Sequence, residues 1–289
     1  MNGAIADRLA ALAADASLEV TPRDAGRLAE LAALLPAGRS VYITAVPGAD
    51  LGDLVTAAVE VRRAGHRPVP HLPARGIAGE AELNALLARL ANEAGVDDVL
   101  VVAGDLETPA GTYTCSMDVL CSGLLERSGI RRAGVAGHPE GSPDVAPAAA
   151  AEALCSKNEF AAASAIELRI VTQFALAAAP YVTWEREARA AGNRLGVIAG
   201  IPGVTSPATL LKYALACGIG PSAGVLRKRS GGLLRLATTR EWRPDAVVEG
   251  IVCSLLADPD SLIGGLHLFP FGGLHRTAAW LSEQAALST

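Results

Sequence analysis

Aromatic side chains are scarce in this chain, at 4% of 289 residues, so the 51% hydrophobic fraction rests on Leu, Ala and Val. An excess of basic charge is missing too. The formal net charge is −5 with Arg and Glu interspersed, which excludes a nucleic-acid partner or a basic membrane-binding face as the organising feature. No apolar stretch approaches about 18 residues without Gly, Pro or charge, so no membrane span is expected. The N-terminal region carries Asp7 and Arg8 within an Ala-rich helical pattern and lacks the basic start and apolar core of a secretory signal. The five cysteines (115, 121, 155, 217 and 253) are odd in number and show no CxxC spacing. Scattered reduced thiols in a cytoplasmic protein fit that pattern better than a disulfide framework or zinc. The five histidines (66, 71, 138, 267 and 275) include no His-x-His, so a metal-dependent hydrolase is a weak alternative and no metal is expected.

What is present is an alternation. Short apolar runs start near 17, 40, 67, 97, 130, 168, 194 and 265, and amphipathic or Ala-rich helical patterns separate them. Eight βα units imply a parallel sheet covered by helices. Eight units in under 300 residues predict a closed (β/α)8 TIM barrel, α/β in class, which typically takes about 250 residues. No Gly-x-Gly-x-x-Gly follows the first strand, against a dinucleotide-binding open sheet. No linker or low-complexity tail interrupts the chain, so residues 1–289 read as one catalytic domain.

The polar residues that stand out fall at or just beyond strand C-termini: Glu19, Thr44, His71, Asp105, His138 and Gln173. In a barrel those ends converge on the face that carries active sites. Each has a plainer reading as an exposed strand-end residue. For Glu19 the alternatives are an exposed edge acid and a used acid, because a carboxylate inside a buried strand is costly unless solvated or employed. The most concentrated stretch is the loop after the fifth run, with His138, Glu140, Ser142 and Asp144 spaced around Pro139 and Pro143. Proline restricts the backbone there and fixes the order in which the side chains are presented. A solvated turn would have the same composition.

These segments, in this order, resemble the methylenetetrahydrofolate reductase family across nearly the whole chain. The resemblance rests on Ser17-Leu-Glu-Val-Thr-Pro-Arg23, Tyr42-Ile-Thr-Ala45, Pro70-His-Leu72, Ala103-Gly-Asp-Leu106, the loop from Gly137 to Asp144, Val171-Thr-Gln-Phe174, Ile201-Pro-Gly-Val204 and the late Phe-Pro-Phe-Gly-Gly-Leu. It implies a TIM-barrel flavoprotein that interconverts 5,10-methylenetetrahydrofolate and 5-methyltetrahydrofolate, with hydride passing through FAD. By the same resemblance Glu19 is the general acid, Asp105 lies between flavin and pterin, and Gln173 binds the pterin. Thr44, His71, Asp105, His138, Ser142, Asp144 and Lys157 would hold FAD, although Lys157 also reads as a solvated helix lysine. The family usually has Tyr, His and Glu where this chain has His138, Ser142 and Asp144, which marks a divergent member.

The implied partners are a folate and NADH or NADPH, in either reaction direction, and a homo-oligomer is open. The basic cluster Arg227, Lys228 and Arg229 reads as a solvated face, a contact for a folate polyglutamate tail, or a site for the 2′-phosphate of NADPH. Two other classes of function stay open: a non-catalytic folate- or flavin-binding barrel, and a subunit of a multi-protein one-carbon or demethylation complex.

Overall fold

In the computed structural model, residues 3–46, 48–219 and 241–288 are described; the cluster Arg227, Lys228 and Arg229 lies outside them. Eight strands form a closed barrel in the order β1 to β8, a TIM barrel. They are β1 (Ser17–Val20), β2 (Ser40–Ile43), β3 (Arg67–Pro73), β4 (Asp98–Val102), β5 (Arg132–Gly137), β6 (Glu167–Thr172), β7 (Gly196–Pro202) and β8 (Ile263–Phe269). The strands are short, and the face that the helices cover is apolar. Leu18, Val41, Ile43, Leu72, Val99, Val101 and Val135 are fully buried, each worth roughly 1.5–3 kcal/mol of transfer free energy.

The principal helices are α1 (Gly3–Asp15), α2 (Gly52–Arg63), α3 (Glu80–Ala94), α4 (Ser116–Leu120), α5 (Leu124–Arg127), α6 (Pro147–Ala163), α7 (Ala178–Ala190), α8 (Pro207–Ala216), α9 (Asp245–Ala257) and α10 (Leu274–Ala285). α3 shows the local logic. Leu83, Leu86, Leu87, Leu90 and Ala94 lie on its buried stripe, and Gly95 ends it at φ 59°, a left-handed conformation cheap only for glycine. α8 starts where Ser206 Oγ accepts from the Thr209 N–H and Pro207 takes the first turn, satisfying a donor the helix cannot.

Two expected helices differ. A single helix over 116–128 is broken into α4 and α5 by Gly123, at φ 69°. The helix expected over 24–35 is a 3-10 helix, Ala25–Leu31. Its Asp24 carboxylate accepts from the Thr21 hydroxyl and from Arg27 and does not cap the helix, and Gly26 weakens the first turn. Among the described residues no helix is long and apolar enough to cross a membrane.

The chain divides into two compact units. One comprises the residues up to Ala16, Gly137–Ala153 and the chain from Val171 onward; there α1 packs on α9, α10 and β8, and α9 on α7. The other comprises Ser17–Ala136 and Leu154–Ile170, with α2 packed on α3 and β3.

Candidate active site

In the Ser17–Ala136 unit, parallel register sets Glu19 opposite Tyr42, and Tyr42 opposite Val69. Side chains alternate along a strand, so His71, two residues past Val69, shares their face. These residues meet. His71 Nε2 lies 3.3 Å from Glu19 Oε2, with the two side chains 11% and 17% exposed. The approach has ion-pair length, and among the described residues the buried Nε2 makes no hydrogen bond. The Tyr42 ring stands nearly perpendicular to His71, at 79° and 6.4 Å between centroids.

Beneath this pair is a buried polar network. Arg169, on β6, donates from Nη2 to the Tyr42 hydroxyl at 2.7 Å and to Asp98 Oδ1 at 2.8 Å, and from Nε to the same hydroxyl at 3.2 Å. Arg132, at the start of β5, donates to Asp98 Oδ2 at 3.2 Å and to Asp97 at 3.0 Å. Only side chains pointing into the barrel can join strands β2, β4 and β6 in this way, a layer drawn from alternate strands. Burial raises the Tyr42 hydroxyl above its ordinary range, and the Arg169 guanidinium opposes that shift. Burial also raises the Asp98 carboxyl against the two guanidiniums. Arg169 is held above its own ordinary value by Tyr42 and Asp98, in spite of its burial. Sequence reasoning passed over Tyr42, Asp98 and Arg169. The available signal was an arginine in the middle of the apolar run of β6.

Asp105 is exposed, on the loop after β4. Gly104, at φ 86°, lets that loop approach β3: a Cβ there would sit 3.0 Å from Pro73 Cβ. Arg75 ties the loop down. Its N–H donates to the Ala103 carbonyl (2.9 Å), its carbonyl accepts from the Ala110 N–H (2.8 Å), and its Nε donates to the Thr114 carbonyl (2.9 Å). Thr44 is half-buried just past β2, its N–H donating to the Val20 carbonyl. Lys157, on α6, has its Nζ 3.5 Å from the Ala136 carbonyl, and burial lowers its ammonium below the ordinary lysine value.

The other expected residues belong to the second unit. His138 is half-buried, and its carbonyl accepts from the Gly141 N–H at 3.0 Å. Ser142 Oγ accepts from the Asp144 N–H at 3.3 Å, and Ser142 bridges to Val145. Asp144 is exposed. The loop is therefore a self-bonded turn, and its Pro143 lies close against Gly218 at the end of α8. Gln173 follows β6. Its N–H donates to the Gly137 carbonyl, and its Oε1 accepts from the Phe174 N–H, so the amide oxygen is turned onto its own backbone. Of the expected residues, Glu19 and His71 are brought into contact within one unit.

No family model matches the chain. Among solved structures it is similar to a sugar phosphate isomerase/epimerase from Parabacteroides distasonis, at 12% identity and a TM-score of 0.37, over 95% of this chain and 96% of that one. The expected activity is corrected at this point. The similar structure is described as an isomerase/epimerase and not as a folate reductase, and His71, expected to hold flavin, is engaged with Glu19. Flavin-dependent interconversion of methylenetetrahydrofolate and methyltetrahydrofolate is not carried forward.

Proposed function

We propose that this barrel is an enzyme of proton transfer on a small polar substrate, with Glu19 and His71 as its acid–base pair. The carrying observation is the 3.3 Å approach of His71 Nε2 to Glu19 Oε2, largely out of water and in the C-terminal halves of β1 and β3. That is the end of the barrel where chemistry is done. A carboxylate at this distance can pass a proton to an imidazole or take one from it. The imidazole is the side chain whose charge ordinarily changes near neutral pH. Positioned general acid–base groups contribute on the order of 10²–10⁴ in rate.

The test does not presuppose the substrate. The purified chain is incubated in D2O with a panel of sugars, sugar phosphates and oxo acids, and deuterium entering each compound is read by mass spectrometry. The expected result is exchange into at least one compound, cut about 100-fold or more by Glu19→Gln. Exchange that survives Glu19→Gln, or none into any compound, overturns the proposal.

We propose separately that Lys157 meets an anionic group, the FAD diphosphate being the case that the family resemblance implies. A desolvated ammonium with one long contact to the Ala136 carbonyl suits a charge-assisted bond to phosphate oxygens. Thr44 and Asp105 are the other candidate flavin contacts of that unit. Saturable FAD binding, read by flavin fluorescence and weakened by Lys157→Gln and by inorganic pyrophosphate, is the expected outcome. Its absence ends this proposal without touching the first.

A further inference from the structure

We infer that Lys157 is a nucleophilic amine site, one that forms an imine with the carbonyl carbon of a small aldehyde, ketone or oxo acid. The inference stands on this side chain alone and does not rest on the acid–base reading of Glu19 and His71. Lysine is scarce here: the chain has Lys157, Lys212 and Lys228, and its other basic side chains besides histidine are arginines. An arginine keeps its proton, whereas a lysine can give it up. Lys157 is not placed like a surface lysine. α6 has no buried residue, and a lysine on such a helix ordinarily carries its ammonium out to water. Its neighbours bond within the helix, Asn158 to the Leu154 carbonyl at 2.8 Å and Cys155 to Glu159 at 3.7 Å. Lys157 is half-buried and turns its tip to the sheet, where Nζ lies 3.5 Å from the carbonyl of Ala136. Ala136 is next to last in β5 (Arg132–Gly137), at the end of the strand where barrel enzymes do chemistry.

A contact of that length is at the limit of a hydrogen bond, so it compensates an ammonium poorly for the water it has lost. Among the described residues no carboxylate acts on the group; burial lowers its proton affinity, and Cys115 opposes this to a smaller extent. Desolvation without a counter-charge favours the neutral amine, and a desolvated lysine is a nucleophile toward carbonyl compounds. In the step, the nitrogen lone pair forms a bond to the carbonyl carbon, and the π pair moves onto oxygen. The two hydrogens of the amine leave with that oxygen as water, and C=N replaces C=O with no change of oxidation state. The anion contact proposed above uses the ammonium of the same side chain and the imine uses the amine, so different experiments read them.

The experiment traps the imine. The full chain is incubated near pH 7 with pyruvate and, separately, with glyceraldehyde, each with cyanoborohydride, which reduces an imine to a stable secondary amine. Peptide mass spectrometry then compares labelling at Lys157 with labelling at Lys212, which is exposed and serves as the solvated amine of the same molecule. Labelling at Lys157 is expected to exceed that at Lys212 by about tenfold or more with at least one probe, the advantage that one unit of lowered proton affinity gives. Lys157→Arg keeps the cation and should abolish the excess, with circular dichroism checking the fold. Labelling at Lys157 no greater than at Lys212 with either probe overturns the inference, and that comparison is made within the wild-type chain and needs no variant to fold. Total labelling unchanged in folded Lys157→Arg overturns it as well. Trapping reads no deuterium exchange, so it can fail while the Glu19–His71 reading stands, and succeed while that reading fails.

Discussion

Replacing Arg169 by Met would remove the cation of the barrel interior while keeping most of its stem volume. Arg169 is 15% exposed at its side chain and Asp98 8%. Three hydrogen bonds vanish: two to the Tyr42 hydroxyl and one to Asp98. Breaking one partner out of a buried pair costs about 3–5 kcal/mol, because the other charge is left behind. Arg132 still holds Asp98 at 3.2 Å but is 32% exposed, so the low end applies, about 3 kcal/mol near pH 7. That is a large share of the roughly 5–15 kcal/mol by which a domain is stable.

The pH dependence is the sharper part of this prediction. Burial lifts the Asp98 carboxyl in the folded chain above its unfolded value, so folding favours its protonated form. A group shifted in that direction contributes stability below its unfolded pKa and loses it as pH rises through the folded one. Taking away Arg169 enlarges the shift, so the penalty is full near neutrality and shrinks as the carboxyl is protonated. Urea unfolding at pH 7 and at about pH 4.5 measures both. A loss under about 1 kcal/mol, or the same loss at both pH values, would refute the idea that an orphaned Asp98 carries the cost. Adding Asp98→Asn to Arg169→Met should recover part of the stability at pH 7 by removing that charge.

Three further outcomes are expected. Tyr181→Phe strands the Ala175 N–H (2.6 Å from the hydroxyl) and the Gly200 carbonyl to which the hydroxyl donates, and should cost about 2–4 kcal/mol in chemical unfolding. Gly200→Ala drives a methyl into the Thr172 carbonyl oxygen and to 2.6 Å from the Phe269 ring; loss of the folded chain, or a penalty above about 4 kcal/mol, is expected by circular dichroism. The Lys157 amine should titrate below the ordinary lysine value because burial lowers it, and NMR of the reductively methylated chain checks this; a titration at or above that value contradicts the burial argument.

The barrel was legible because its signal repeats. Eight apolar runs separated by helical patterns leave few alternatives, and every strand lies within a few residues of its expected position. The helix at 24–35 was misread because periodicity does not register that Asp24 is drawn to Thr21 and Arg27. Glu19 and His71 could be singled out as polar residues near strand ends. Their mutual contact could not, since it depends on the register of β1, β2 and β3. Arg169 and Asp98 were harder still. A charge inside a strand is visible in sequence, but the partner that makes it tolerable is set by barrel closure. The turn from His138 to Val145 was legible as a turn, but not in its internal bonding. Its row of polar side chains is visible in sequence, and the bond that Ser142 closes within the turn is seen only in the structure.

The Tyr42–Arg169–Asp98 contact also constrains how this chain can drift. Arg169 meets partners 127 and 71 positions away, so nothing local in the polypeptide keeps the three together. Changing any one alone takes away bonds that the others use, so each single step costs stability. Relatives should keep all three residues or exchange them together for an apolar set, and mixed combinations should be rare.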